Sequence, residues 1–320
     1  MQRLWDRMRR NRFAVLGRVG MDLYADPPGT RIEDARGFTP AIGGSAGNIA
    51  VALARQGAQA MLMTRVSDDA VGHYCLAELS RYGVVTAHTR TSSDGTRTSL
   101  AVAETRADDC QVVIYRNGAA DFALTEADVA DVDYASLSAL VVTGTALAAG
   151  PSRTAALSAM TLARAAGALT VLDIDYRAYT WSDAGEAARI CLDAARAADI
   201  IIGNDDEFGL LAGGHDQGPA LARDLAQGAL FSILKLGAAG SRTFTPDYSF
   251  VTPIFPVTAL KPMGAGDGFM GGLLAGLAQG HTLQTSVRRG AATAALIVAG
   301  VGCAPASPDT ATLDAFLARH

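Results

Sequence analysis

Lysine is almost absent. Lys235 and Lys261 are the only two in 320 residues, and no G-x-x-x-x-G-K-[ST] stretch occurs, so a P-loop phosphate site is excluded. Protein-kinase signatures are missing as well. Acidic residues outnumber basic ones, 32 to 27, for a net charge of -5. No basic field is therefore present to draw nucleic acid or an anionic membrane, and a small-molecule partner is expected. Cysteine is sparse: Cys75, Cys110, Cys191 and Cys303 lie far apart with no C-x-x-C pair. This spacing argues against a metal site and a disulfide framework, and points to free thiols in a reducing cytoplasm. No apolar run reaches the roughly 18 residues that a membrane span requires. The nearest, "AATAALIVAGVG", reads as a buried Ala-rich helix. The basic opening "MQRLWDRMRRNR", residues 1–12, is followed by neither an apolar segment nor a small-residue cleavage site, and reads as a solvated N-terminal extension.

What the chain has in quantity is short aliphatic runs alternating with longer Ala-rich segments. "FAVLG", "AMLMT", "ALVVT", "LTVLDI", "DIIIG" and "FSILKLG" are continuously apolar, as strands of a parallel sheet covered on both faces should be. The segments 45–56, 69–83, 152–167, 184–197 and 217–227 carry helical spacing and often start after Ser, Asp or Pro. The pattern predicts a doubly wound α/β fold with helices on both faces of a mainly parallel sheet. Two segments break the rhythm. Residues 20–42 and 95–117 read as extended, the second as a hairpin, "TSLAVAET" turning through "RADD" into "CQVVIYR". Strands without crossover helices imply a small β layer, placed to cover the C-terminal sheet edge where open α/β sheets bind ligands. No linker or repeat marks a second independent domain.

Several loops carry possible chemistry. In "KPMGAGDGFMGG", residues 261–272, glycines precede an apolar helical run, leaving backbone N–H groups open to a bulky anion. Asp267 lies at that helix start, where it either caps the helix or takes a proton from an alcohol attacking a phosphate. In "IGGSAGN", Gly43 and Gly44 permit a close approach, and Asn48 offers both donor and acceptor to sugar hydroxyls; a plain cap and turn is the other reading. Asp22, beyond the first strand, is either a hydroxyl acceptor or an Asx-turn. "DIDYRAYTW" sets Asp173, Asp175 and Arg177 past a strand, where Arg177 pairs with the acids or grips a substrate anion. Asn204 and Glu207 of "NDDE" fit either helix capping or Mg²⁺ held through water. "KLGAAGS" follows a strand end with glycines that suit either a nucleotide or a tight hairpin.

Taken in order, Asp22, "GGSAGN", the hairpin, "NDDE", "KLGAAGS" and "GAGDGF" resemble the ribokinase/PfkB family of carbohydrate kinases. The resemblance runs from about residue 13 to the end and implies one ribokinase-like domain, with lid segments near 20–42 and 95–117. It implies ATP-dependent phosphorylation of a hydroxyl on a keto-sugar or sugar acid. By that resemblance Asp267 is the general base, and the amides of Gly264, Ala265 and Gly266 form the anion hole. Asp22, Gly43, Gly44 and Asn48 meet the sugar, and Arg116 and Arg177 are candidates to meet an acidic or keto group. Asn204 and Glu207 organise Mg²⁺ and phosphates, while Lys235, Gly237 and Gly240 border ATP. One departure stands out. The family commonly has Asp-Thr ahead of the anion hole, whereas this chain has Lys261-Pro262, which argues against K⁺ activation. Lys261 itself reads as a surface lysine, or else as a source of the missing positive charge. A 2-keto-3-deoxygluconate, fructose or nucleoside kinase, and a noncatalytic sugar- or nucleotide-binding regulator, are the alternatives. A homodimer joined through lid edges is expected.

Overall fold

In the computed structural model, which describes residues 2–320, thirteen strands divide into two sheets. In chain order they are β1 (Arg12–Leu16), β2 (Gly20–Asp26), β3 (Gly37–Gly43), β4 (Gln59–Ser67), β5 (Thr89–Ser92), β6 (Ser99–Ala103), β7 (Val112–Tyr115), β8 (Ala139–Thr143), β9 (Leu169–Asp173), β10 (Ile200–Asn204), β11 (Phe231–Lys235), β12 (Ser241–Phe244) and β13 (Ser249–Thr252). Nine form the main sheet in the order β13-β12-β11-β10-β9-β8-β1-β4-β5. Only β12 and β13 run antiparallel to their neighbours. Strands β8 and β9 are buried along their whole length. Alternate residues of β1 serve opposite cores: Ala14 and Leu16 face one hydrophobic cluster, Phe13 and Val15 the other. This is why their sequences are continuously apolar.

The chain leaves β1 through a small second sheet, ordered β3-β2-β6-β7, before it returns to β4. Its strands match the two segments that lacked crossover helices. Since β4 and β8 flank β1 on opposite sides, the connections diverge there, and the crevice beyond the strand ends is the expected ligand position. The second sheet covers that crevice: Ala101 and Ala103 of β6, and Val112 and Ile114 of β7, face it.

One expectation fails. The described part of that segment, residues 2–12, is not a solvated extension, because Gln2–Met8 is a helix whose Leu4 and Met8 are fully buried in the main core. The basic residues masked an apolar pair four apart, the spacing that puts two side chains on one helix face. Arg10 then donates to the Leu137 carbonyl at 2.9 Å, fastening the segment beside β8.

Candidate active site

The glycines of residues 264–272 do two separate things. Gly264 has φ +80°, and a Cβ there would come within 2.4 Å of Cys303 Sγ, so the turn into the Ala265–Ala278 helix needs glycine for both backbone and space. Farther along, a Cβ on Gly271 would come within 2.4 Å of the Ala52 methyl, and one on Gly272 within 2.4 Å of Thr293 Oγ1. Those glycines let the helix pack tightly between its neighbours. The first turn is thereby held half-buried between its neighbours, with Ala265 and Gly266 bordering open space.

That turn separates two cavities. The larger, about 670 Å³, is bordered by Lys235, Gly237 and Gly240 on one side and Ala265 and Gly266 on the other, with Phe255 and Ala295 among its apolar walls. The smaller, about 140 Å³, has polar walls that include Asp22, Asn48, Thr145, Asp175 and Arg177, and it reaches Gly264 and Asp267. Asp267 thus faces the small cavity while the amides beside it border the large one. Lys235 Nζ lies 3.0 Å from where a Gly266 Cβ would stand, bringing a cation over the same turn.

Asp267 is not the helix N-cap, a position held by Gly264; it lies within the first turn. Its Oδ2 accepts from Asn48 Nδ2 at 2.8 Å. Burial pushes the carboxyl up to about 7, helped by the charge of Asp175 and opposed by the Asn48 hydrogen bond, with Asp173 and Arg177 contributing less. A carboxylate with that proton affinity, at a glycine-rich helix start between two cavities, suits general-base chemistry near neutral pH.

Around the small cavity, Asp22 is nearly buried, and Tyr24 donates to its Oδ2 at 3.3 Å. Its Oδ1 has no hydrogen-bond partner. Burial raises its proton affinity, against the pull of Arg18. Gly43 lies behind it, where a Cβ would overlap the Asp22 carboxyl, so Gly43 makes room and does not itself line the cavity. Gly44 lines it and has φ +86°. Asp175 is held with φ +36°, unusual for a residue with a side chain. Its Oδ2 accepts from Thr145 Oγ1 at 3.2 Å, and its Oδ1 pairs with Arg177 at 2.8 Å.

Behind these residues, Asn204 and Glu207 form a reciprocal helix cap. Asn204 Oδ1 accepts from the Glu207 N–H at 2.8 Å, and Glu207 Oε2 accepts from the Asn204 N–H at 2.7 Å. The capping reading is therefore realised, and neither side chain is among the cavity walls. Burial pushes Glu207 up to about 7, with Lys235 opposing and Asp173 adding to the rise. Asp173 pairs with Lys235 at 3.7 Å, and its buried Oδ1 accepts no hydrogen bond. That Oδ1 is the atom facing the Lys235 ammonium, so Asp173 adds negative charge beside the cap, where a hydrated cation would be attracted.

Two sequence expectations change. Arg116 does not reach the small cavity: it is buried, paired with Asp121, stacked 4.0 Å over the Phe122 ring, and donates to the Thr145 carbonyl at 3.0 Å. An acid five residues later in "RNGAAD" was the signal for that internal pairing. Lys261 is not a surface lysine. It is fully buried, and its Nζ donates to the Met263 carbonyl at 2.8 Å and the Ile297 carbonyl at 3.3 Å. Arg18, Thr145, Tyr179 and Cys303 also line the small cavity, and no local sequence signal marked them as site residues.

The family model for "pfkB family carbohydrate kinase" matches residues 10–310. A 5-dehydro-2-deoxygluconokinase of Photobacterium profundum is 40% identical over 309 residues, covering 95% of this chain and 93% of the relative. One from Geobacillus kaustophilus is 34% identical, covering 96% and 94%. Among solved structures, a double mutant of Vibrio cholerae fructokinase bound to fructose, ADP and potassium superposes with a TM-score of 0.85. It is 26% identical, with 96% of this chain and 98% of that one covered.

Proposed function

This chain belongs to the pfkB family of carbohydrate kinases, and from that premise we propose that it transfers the γ-phosphoryl group of ATP to the primary hydroxyl of 5-dehydro-2-deoxygluconate. The observation that carries the reading is the position of Asp267, held by Asn48 on the lip between a polar cavity and a larger one, with a carboxyl that titrates near 7. The name shared by full-length relatives selects the sugar acid among carbohydrate kinase substrates.

In this mechanism the sugar occupies the small cavity and ATP the large one. Asp22, Gly44 and Asn48 meet the sugar hydroxyls, and Gly43 leaves room for the Asp22 carboxyl. Asp267 takes the proton of the alcohol as its oxygen attacks the γ-phosphorus and the bond to ADP breaks. The amides of Gly264, Ala265 and Gly266, with the Lys235 ammonium above them, hold the charge on the phosphoryl group in flight. Because these donors are fixed before reaction, little reorganisation is needed. Gly237 and Gly240 border the nucleotide. Asn204 and Glu207 would hold Mg²⁺ through water, with Asp173 adding negative charge nearby; bound Mg²⁺ would neutralise phosphate oxygens. No monovalent cation is needed, since Lys261 carries a positive charge under the anion loop.

The reading also includes a homodimer in the cytoplasm, serving myo-inositol breakdown. Val113 and Tyr115 of edge strand β7 are exposed, as is Phe38 of β3, the other edge, which supports pairing through the small sheet. Light scattering that found only monomer at micromolar concentration would count against the dimer.

The deciding assay follows ADP release with 5-dehydro-2-deoxygluconate, 2-keto-3-deoxygluconate and fructose. Highest kcat/KM on the first is expected. A preference for either of the others reassigns the substrate, and binding without turnover of any sugar would favour a noncatalytic regulator.

A further inference from the structure

The positive charges near the small cavity differ in what already neutralises them. Arg116 is paired with Asp121 and lies outside the cavity. Arg177 lines it, but its guanidinium is 2.8 Å from Asp175 and 3.7 Å from Glu207. The charge of Asp175, helped by Glu207 and opposed by burial, holds its proton more tightly than usual. Lys261 is enclosed by carbonyls. Arg18 remains. It lines the cavity, its Nη1 donates to Ser99 Oγ at 3.1 Å, and among the described residues it forms no ion pair, Asp22 attracting it only from beyond that distance.

The backbone under Arg18 is fixed. Its carbonyl accepts from the Gly47 N–H at 3.2 Å and lies where a Cβ on Gly44 would come within 2.5 Å. Ser99, which receives the guanidinium, itself donates to the Val19 carbonyl at 3.2 Å. The side chain is therefore anchored at both ends while the rest of its fork is left for a ligand.

The two arginines of the cavity wall are held by different elements, Arg18 by Ser99 of the second sheet and Arg177 by Asp175, which Thr145 holds in turn. A six-carbon sugar acid carries its carboxylate at the end of the chain opposite its primary alcohol. With the alcohol at Asp267, the carboxylate points away from that residue, to be met by a cation of the cavity wall that has no ion-pair partner.

We propose that the guanidinium of Arg18 receives the carboxylate of the substrate and makes the small cavity selective for sugar acids over uncharged sugars. This rests on the sugar-acid reading above. Charge-assisted, bidentate contact is what an arginine in this position can provide, and an uncharged end group would leave that guanidinium unpaired.

The test compares 5-dehydro-2-deoxygluconate with its primary carboxamide, which keeps the skeleton and removes the charge, in wild type, Arg18→Gln and Arg18→Lys. The wild-type preference for the acid, as a ratio of kcat/KM, should fall about 30-fold or more in Arg18→Gln, mainly through KM. Arg18→Lys should retain part of it. Melting temperatures of both variants separate this from loss of fold. If Arg18→Gln weakens acid and amide equally, or if Arg177→Gln alone removes the preference, the Arg18 assignment falls while the sugar-acid reading stands. If wild type turns over only uncharged sugars, both fall.

Discussion

Asn48 donates its amide N–H to Asp267 Oδ2 at 2.8 Å, joining the starts of two helices 219 residues apart in the chain. The bond favours the charged carboxylate, so it holds the proton affinity of Asp267 below what burial alone would give. Asn48→Ala should move the acid limb of the kcat/KM profile to higher pH. A profile that keeps its midpoint would disconnect the amide from the base.

Asp267→Asn should lower kcat by about 10²–10⁴-fold, the usual worth of a positioned general base. Its melting temperature at pH 8 should be no lower than wild type. The folded carboxyl binds its proton more tightly than an unfolded aspartate, so above pH 7 folding must hold an unfavourable buried charge, and the amide relieves it. A variant with full turnover would remove Asp267 from the mechanism.

The pH profile follows from the same carboxyl. Because its value is raised to about 7, the base form is complete above that pH and is lost as pH falls through it. Wild-type kcat/KM should drop about tenfold per unit below the midpoint. Glu207 titrates in the same range. Residual turnover of Asp267→Asn distinguishes them, since loss of the limb in that variant assigns it to Asp267.

Lys261→Met should destabilise the fold by roughly 1.5–3 kcal/mol, because a buried charged donor is removed from two carbonyls. Chemical denaturation measures this. With wild type, exchanging K⁺ for Na⁺ at equal ionic strength should leave kcat within about twofold, since screening is then the same. A strong K⁺ requirement would show that the ammonium does not serve the anion loop.

The parts of this molecule that can be read from sequence are those set by neighbours in the chain. Continuous apolar runs marked β8 and β9 because both faces of those strands are covered. The glycine at 264 marked its turn because a positive φ excludes most side chains. The lid hairpin was visible in its alternation. What stayed hidden depends on contacts made across the fold. Nothing near Lys261 announces that Ile297, 36 residues on, will supply its second carbonyl. Nothing near Arg18 reveals that Ser99 will orient it toward a cavity. Leu4 and Met8 were outweighed by the arginines around them, although the burial of those two residues decides where the first helix lies. Arg116 erred the other way: its nearby acid was in view, but charge alone does not say which cations face a ligand.

A dissolved ion exchanges with its surroundings, and its occupancy follows concentration. In the proposed mechanism the cation beside the glycine turn is Lys261, joined to the chain by covalent bonds, in a stoichiometry of one that dilution or dialysis does not alter. Its supply depends on translation and not on ion transport. Loss of that charge would therefore appear as a heritable substitution at Lys261, while a change in the salts around the protein would leave it in place.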